Sequence, residues 1–177
     1  MGTNECFLMR GSKMDDPMTV YFITSVLGDK LWAKRFYVGN NMVQGWPCPH
    51  EYDSTIPNNA ISLPSDTWQW CKGEMLSFLN EVYKYLRENV IKEKAQIIIG
   101  CHYVGGHGGI KTVTEIGDDK IKYDLFRLDE DDISPCWTGE VNVSDTEEWY
   151  AVSEETYDEV LCRYKKLLSK LRARLCG

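Results

Sequence analysis

The amino-acid sequence predicts an α+β fold, a mainly antiparallel sheet of about five to seven strands with two long amphipathic helices packed on one face. Apolar and polar residues alternate along several short segments, which is typical of strands with one solvated face. Two longer segments repeat apolar residues every three or four positions, which indicates helices. Only a few turn residues separate most strand segments, so we expect consecutive strands to pair as hairpins.

Two strands form a predicted hairpin in the first part of the chain. The segment 18–26, MTVYFITSV, is rich in β-branched and aromatic residues, and the segment 31–39, LWAKRFYVG, follows after a Gly-Asp turn. Residues 1–16 before them are predicted to form a loose N-terminal leader. Residues 17–177 have the length of one domain, and we predict that they form a single α+β domain.

A long irregular segment precedes the first helix. Residues 40–64 hold four of the six prolines and show neither a helical nor a strand period, so we predict a loop. Ser65 is a suitable N-cap, and Asp66 in the first turn suits the helix dipole. The apolar stripe of this helix comprises Trp68, Cys71, Met75, Leu79, Val82, Leu86 and Val90.

A three-stranded meander is predicted in the middle of the chain. The continuous apolar run Ile97–Ile99 indicates a central strand that is buried on both faces. The segments 110–116 and 121–128 alternate with a period of two residues, and a Gly-Asp-Asp turn separates them. Residues 137–143 and 147–152 are two shorter strand candidates.

The second predicted helix follows Ser153, which is its N-cap. Acidic residues lie near its first turns and basic residues near its last turns, and both biases suit the helix dipole. Its apolar stripe comprises Val160, Leu161, Tyr164, Leu168, Leu171 and Leu175. No internal repeat is visible in the sequence.

The seven cysteines are odd in number and lack C-x-x-C spacing, so they do not indicate a disulfide scaffold. We interpret them as reduced thiols of a cytoplasmic protein, several of them buried as small apolar side chains. No apolar run has the length of a signal peptide or of a membrane span, so we predict no membrane association.

The net charge of −7 is unevenly distributed. Between Glu115 and Glu159 the chain carries 16 acidic and three basic residues, a net charge of −13, whereas the rest carries +6. Phosphates would be repelled by such a segment, so we do not expect nucleic acid to bind directly on the acidic face. A basic protein partner is favoured, and a merely solvated surface is the alternative.

The acidic segment supplies the predicted binding residues. The clusters Asp129–Asp132 and Asp145–Glu148 lack the register of a calcium-binding EF-hand loop. Aromatic residues beside charges are a common interface composition, so Trp137 and Trp149 are predicted as apolar anchors. The predicted binding residues are Asp129, Glu130, Asp131, Asp132, Trp137, Asp145, Glu147, Glu148 and Trp149.

A glycine- and histidine-rich segment, residues 100–109, is the alternative site. No helix is predicted after its glycines and no G-x-G-x-x-G register is present, so a phosphate-binding loop is not favoured. A hairpin that uses glycine for positive φ explains the segment more simply. If the three histidines converge in one cleft, a small hydrolase or a nucleotide-binding or nucleotide-processing protein is the alternative function. The residues of this alternative site are His50, His102, Gly105, Gly106, His107, Gly108 and Gly109.

Cysteine and histidine also occur close together, at Cys48 and His50 and again at Cys101 and His102. These side chains are zinc ligands by type, but their spacing is not that of a zinc knuckle. Cys101 and His102 are adjacent in a predicted strand and would point to opposite faces, so they do not form a nucleophile–base pair. We therefore predict no bound metal, no cofactor and no catalytic residue.

The charge pattern and the lack of a complete catalytic set favour a binding protein over an enzyme. We predict a small acidic intracellular binding or inhibitor-type protein that presents an acidic, aromatic-containing face to a basic macromolecular partner. Its size and charge suit an inhibitor from a phage or mobile element, or an immunity protein. The sequence predicts no oligomeric state.

Overall fold

The computed structural model describes most of the chain and divides it into two compact units. Unit 1 comprises Met1–Leu76 and Leu167–Gly177, and unit 2 comprises Ser77–Lys166. The described residues are 5–10, 16–53, 59–94, 96–105 and 108–176.

Unit 1 contains an antiparallel meander of four strands and a short fifth strand that pairs with the first. The sheet order is β5-β1-β2-β3-β4. The strands are β1 (Cys6–Arg10), β2 (Met18–Leu27), β3 (Lys30–Val38), β4 (Val43–Asp53) and β5 (Ile61–Leu63). Helix α1 (Thr67–Asn89) follows, and Thr67 Oγ1 donates to the carbonyl oxygen of Pro64 at 2.7 Å where the helix begins.

One face of the unit 1 sheet forms the core against helix α1. Leu8, Val20 and Phe36 lie directly opposite one another on neighbouring strands, and all three are buried. Lys72 of α1 donates through Nζ to the carbonyl oxygen of Gly45 at 3.0 Å, so the helix lies over this face. Side chains alternate between the two faces of a strand. The residues next to Leu8, Val20 and Phe36 in sequence therefore point to the opposite face, away from α1.

Unit 2 repeats this plan with one additional strand. Four strands form an antiparallel meander, and a short strand pairs with the first of them and with β6; the order is β10-β9-β8-β7-β11-β6. The elements are β6 (Ile91–Lys94), β7 (His102–Val104), β8 (Gly109–Ile116), β9 (Lys120–Leu128), β10 (Asp132–Asn142), a 3₁₀ helix (Val143–Glu148), β11 (Tyr150–Val152) and α2 (Glu154–Cys176).

Helix α2 covers one face of the unit 2 sheet. The ring of Phe126 makes edge contacts with the rings of Tyr157 and Tyr164, at centroid distances of 6.5 and 5.3 Å. The hydroxyl of Tyr164 donates to the carbonyl oxygen of Ile133 at 3.4 Å, and burial strongly raises the pKa of this hydroxyl. Ser153 caps the helix, since its Oγ accepts from the backbone N–H of Thr156 at 3.1 Å.

The two units share one succession of elements, which was not visible as a sequence repeat. In each, a four-stranded meander is followed by a short strand that pairs with the first strand, and then by a helix of 23 residues. Strand β10 begins 89 residues after β4, and β11 begins 89 residues after β5. The pairing of the second and third strands is irregular at matching places, after Ile23 in unit 1 and after Val113 in unit 2.

The predicted sheet of about five to seven strands with two helices packed on one face is wrong. The described residues form eleven strands, and α1 and α2 each contribute one segment to each unit. Five strands, β1, β5, β6, β7 and β11, have only three to five residues. A period of two residues cannot be distinguished from chance in segments this short. The strand pairs within each unit are antiparallel, as the hairpin spacing predicts.

The central strand predicted at Ile97–Ile99 is also wrong. These residues lie outside the strands, and the side chains of Ile98 and Ile99 are exposed. The backbone N–H of Cys101 donates to the carbonyl oxygen of Ile98 at 3.2 Å, and Gly100 has a φ of 87°, so the chain turns here. An apolar run alone does not distinguish a buried strand from an exposed turn.

Two segments predicted to be irregular contain strands. The predicted loop 40–64 contains β4 and β5, and the predicted leader 1–16 contains β1, in which Cys6 and Leu8 are buried. Strand β4 tolerates Pro47 and Pro49 because its register with β3 shifts at this point. Proline is compatible with such an irregularity, where the ladder lacks a hydrogen bond.

All seven cysteines are free; Cys6 and Cys71 are buried, and the other five are exposed. Burial raises the pKa of the Cys71 thiol to about 12, so this thiol stays protonated. No helix among the described residues combines the length and the apolar character that a membrane crossing requires.

Candidate functional site

The first acidic cluster, Asp129–Asp132, is partly used inside unit 2. Arg127 makes ion pairs with Asp129 at 3.5 Å and with Asp132 at 3.7 Å. Asp132 is buried and accepts a hydrogen bond from Ser134 Oγ at 3.0 Å. Glu130 and Asp131 are exposed. Two of the four carboxylates therefore hold the guanidinium of Arg127, which offsets one of their two negative charges within the unit.

The second acidic cluster is exposed and adjoins another acidic turn. Asp145, Glu147 and Glu148 lie on the 3₁₀ helix, and the backbone N–H of Val143 donates to the carbonyl oxygen of Asp119 at 2.8 Å. We call the exposed carboxylates of these two turns the acidic end. The acidic end comprises Asp118, Asp119, Asp145, Glu147 and Glu148. No lysine or arginine among the described residues forms an ion pair with these five carboxylates.

The two acidic clusters lie at opposite ends of β10. This strand has eleven residues, so its ends are about 30 Å apart at the usual rise of a strand. Because screening shortens the reach of a surface charge to about 8 Å at physiological ionic strength, the clusters act as separate groups rather than as one acidic face.

The two tryptophans predicted as anchors have different environments. Trp137 is 38% exposed; its indole Nε1 donates to Ser134 Oγ at 2.6 Å, and the guanidinium of Arg127 lies 5.0 Å from its ring. Trp149 is only 4% exposed and belongs to a buried cluster. Its partners are Tyr103, Val113 and Ile121. Trp149 is therefore a core residue and is not available as a surface anchor.

Lys111 lies beneath Trp149 on the same face of the sheet. Its ammonium is 5.4 Å from the Trp149 ring and 5.9 Å from the Tyr123 ring, and it donates to the carbonyl oxygen of Gly105 at 2.7 Å. Burial lowers the pKa of Lys111. Trp149 thus closes the face of the unit 2 sheet that lies opposite helix α2.

Of the three histidines of the alternative site, His102 has both ring nitrogens engaged within unit 2. His102 is buried, with Nδ1 2.7 Å from Thr112 Oγ1 and Nε2 2.6 Å from Glu154 Oε2, and its ring stacks on Tyr157 at 3.9 Å. Both ring nitrogens are therefore engaged in holding β7, β8 and α2 together. His50 belongs to unit 1, whereas His102 belongs to unit 2. His107 and Gly106 lie outside the described residues.

Three glycines of the alternative site, Gly105, Gly108 and Gly109, line a cleft within unit 2. Gly105, Gly108 and Gly109 all have positive φ. The cleft has a volume of about 430 Å³. Its lining consists of Tyr83, Leu86, Arg87, Val90, Val104, Gly105, Gly108, Gly109 and Tyr150. A small ligand would meet two tyrosines, a guanidinium and glycine backbone here.

Sequence reasoning missed a further group on the open face of the unit 1 sheet. Tyr21, Arg35 and Trp46 lie directly opposite one another on β2, β3 and β4, so their side chains share one face. This is the face opposite Phe36 and helix α1. Trp46 is 39% exposed, and Tyr52 packs edge-on against Tyr21 at 5.5 Å. The signal was hidden because the prolines beside Trp46 predicted a loop instead of strand β4.

Arg35 lies at the centre of this aromatic group. Its guanidinium lies 5.5 Å from the Trp46 ring and 6.0 Å from the Tyr52 ring. Its Nε and the hydroxyl of Tyr52 are enclosed but have no hydrogen-bond partner among the described residues. Burial raises the pKa of Tyr52, so this hydroxyl remains a donor at neutral pH. No carboxylate forms an ion pair with Arg35 among the residues that the structure describes.

Two further observations bear on the site. The described part of the chain contains no group of three or more histidine, cysteine, aspartate or glutamate residues arranged to hold a metal ion. Comparisons with protein-family models, with curated proteins and with solved structures find no match to this chain.

Proposed function

We propose that this protein is a binding protein whose acidic end docks on a basic protein partner. The observation that carries the proposal is the acidic end itself, five exposed carboxylates on two hydrogen-bonded turns without a basic residue paired to them in the described chain. Unit 2 as a whole carries 19 acidic and 11 basic residues, whereas unit 1 carries eight and nine. The excess negative charge therefore belongs to the unit that carries the acidic end.

Apolar side chains at the same place support docking over simple solvation. Ile116 ends the strand before the acidic turn, Val143 begins the 3₁₀ helix, and both are exposed. Exposed apolar residues surrounded by charges are the arrangement found at protein interfaces, where the apolar centre is desolvated and the polar rim stays wet. An inhibitor or immunity protein that captures a basic target would use such a surface.

Reversing two charges of the acidic end is expected to weaken binding. The partner is first captured from an extract of the source cells on the immobilised protein at low and moderate salt. In the variant Glu147→Lys with Glu148→Lys, the association rate should fall at least about tenfold, because unlike charges steer the encounter of the two proteins. The measurement is surface plasmon resonance at several salt concentrations, with the melting temperature recorded for each variant.

The matched control changes the net charge by the same amount elsewhere in unit 2. Glu81 and Glu88 are exposed on helix α1, so Glu81→Lys with Glu88→Lys should leave the association rate nearly unchanged. Equal losses in both variants, or binding that is insensitive to salt, would contradict the proposal. Reversal of Asp129 is unsuitable for this test because Asp129 is paired with Arg127.

A second candidate function rests on the cleft in unit 2. Its size and its lining of Tyr83, Tyr150 and Arg87 suit a small anionic ligand with a flat ring, such as a mononucleotide. If the cleft binds nucleotides, about 1 mM of a mononucleotide should raise the melting temperature by several degrees, and Arg87→Glu should remove the effect. A panel of mononucleotides that leaves the melting temperature unchanged would argue against this candidate.

A further inference from the structure

The open face of the unit 1 sheet combines a cation with aromatic rings in one cross-strand row. Phe7, Tyr21, Arg35 and Trp46 lie directly opposite one another on β1, β2, β3 and β4. Tyr37, two residues along β3 from Arg35, shares the face, and His50 packs edge-on to Trp46 at 6.2 Å. None of the four residues of the row is fully buried, and Trp46 is exposed.

This row differs from its counterpart in unit 2, where the same succession of strands is found. The unit 2 row is Tyr103, Lys111, Leu125 and Trp137, and Trp149 covers its first two members. The guanidinium next to Trp137 is held by two carboxylates. In unit 1 the guanidinium next to Trp46 has no such ion pair among the described residues. The guanidinium next to Trp46 is therefore available to a ligand, whereas the guanidinium next to Trp137 is neutralised by carboxylates.

From this contrast we infer that the open face of unit 1 binds single-stranded nucleic acid, with a base stacked on Trp46 and a phosphate on Arg35. Aromatic side chains on a sheet stack bases of any sequence, and arginine adds a phosphate contact and a cation–π contact. Among the described residues the Nε of Arg35 and the hydroxyl of Tyr52 have no hydrogen-bond partner, and because both atoms are enclosed, the phosphate contact is assigned to the terminal nitrogens of the Arg35 guanidinium. Phosphate oxygens are acceptors that satisfy donors of this kind.

The dimensions of the row favour a strand of nucleotides over a single nucleotide. Neighbouring strands lie about 4.8 Å apart, so Tyr21, Arg35 and Trp46 together cover about 10 Å across β2, β3 and β4. Bases that stack on the side chains of neighbouring strands lie side by side across the sheet, so a row of this length suits two or three bases, as on other sheets that bind single-stranded RNA. An acidic peptide would pair with Arg35 but would leave the faces of Trp46 and the tyrosines without a stacking partner.

The overall negative charge of the protein does not oppose this inference. Unit 1 carries nine basic and eight acidic residues, and the acidic excess lies in unit 2. Because few cations face the strand, stacking provides most of the affinity and the dependence on salt is shallow. One phosphate contact to a single strand predicts a slope near −0.7 in a plot of log affinity against log salt.

The test is binding of a fluorescein-labelled oligothymidylate of about twelve nucleotides, followed by anisotropy with the full chain. Trp46→Ala should weaken binding by about 5- to 100-fold, the range for loss of one stacked base. Trp46→Phe should restore most of the affinity, and Arg35→Gln should weaken binding and flatten the salt dependence. If Arg35→Gln unfolds, Arg35→Lys, which retains the charge, is measured in its place. The control Trp137→Ala removes the corresponding tryptophan of unit 2 and should leave the affinity unchanged.

Competition identifies the source of the signal. An unlabelled single strand should displace the probe, whereas a duplex of the same sequence, thymidine monophosphate, inorganic phosphate and polyglutamate should compete poorly. If inorganic phosphate displaced the probe at an equal charge concentration, the face would be a general anion site. If polyglutamate displaced it, the face would be a site for acidic peptides. Absence of binding at micromolar protein, or an equal loss in Trp137→Ala, would overturn it. These outcomes are independent of the acidic end, whose charge-reversed variant should bind the oligonucleotide as the wild type does.

Discussion

Replacing Gly109 with alanine is expected to destabilise the protein by about 3 kcal/mol or more, because two separate penalties coincide at this residue. Gly109 has a φ of 123°, a conformation that side chains with a Cβ rarely adopt. A Cβ atom placed there would overlap the carbonyl oxygen of Phe126 and would lie 3.0 Å from the backbone nitrogen of Leu128. Both atoms belong to the paired strand β9, so neither can move without breaking the β8–β9 ladder.

A matched variant separates the clash from the backbone conformation. Gly28 also has a positive φ, of 64°, but nothing lies within 4 Å of the position of its Cβ. Gly28→Ala should therefore cost only about 1 kcal/mol, the usual penalty of the left-handed conformation. Urea unfolding followed by circular dichroism measures both. Similar midpoints for the two variants would mean that the close approach of β8 to β9 is not as rigid as the structure shows.

Replacing Trp149 with alanine is expected to cost about 3–5 kcal/mol, the range for removing a large aromatic side chain from a core. Trp149 contacts the rings of Tyr103 and Tyr123, at 5.9 and 5.8 Å, and covers the ammonium of Lys111. Its loss would leave a cavity and would expose the buried lysine to water. The urea midpoint should fall strongly, with little change in the slope of the transition.

The corresponding change at Trp137 is the control for surface position. Trp137 is more than one-third exposed, so Trp137→Ala should cost about 1 kcal/mol, mainly the lost contacts with Arg127 and Ser134. If Trp149→Ala proved no more destabilising than Trp137→Ala, the buried cluster around Trp149 would not contribute to stability as a core does. The pair of variants thus decides whether Trp149 is a core residue or a surface anchor.

The sequence predicted the long elements well and the short ones poorly, for identifiable reasons. Helices α1 and α2 begin within two residues of the caps expected at Ser65 and Ser153, because stripes such as Met75, Leu79, Val82 and Leu86 extend over several turns. The strands at 18–26 and 121–128 also correspond to β2 and β9. Strands of three residues, such as β7 and β11, are defined by their partners and carry no period of their own.

The candidate sites were less predictable because side-chain partners depend on tertiary structure. Nothing in the local sequence distinguishes Trp137, which is exposed, from Trp149, which is buried, since each lies in a short predicted strand beside one polar residue, Thr138 or Glu148. The pairing of Arg127 with Asp129 and Asp132 follows from a turn, whereas the row of Tyr21, Arg35 and Trp46 requires the register of three strands. Charge counts located the acidic segment, but they did not show that β10 separates its two clusters.

The shared succession of elements in the two units has a consequence for how the chain folds. Similar neighbouring segments can exchange strands during folding and become kinetically trapped. Here the equivalent second strands carry different residues opposite the first strand, Tyr21 in β2 and Lys111 in β8. If β8 paired with β1 instead of β7, the ammonium of Lys111 would lose the carbonyl of Gly105 and the ring of Trp149, and the loss of such contacts by a buried charge is costly. The buried lysine therefore penalises the exchanged pairing and favours assembly of each meander from its own strands.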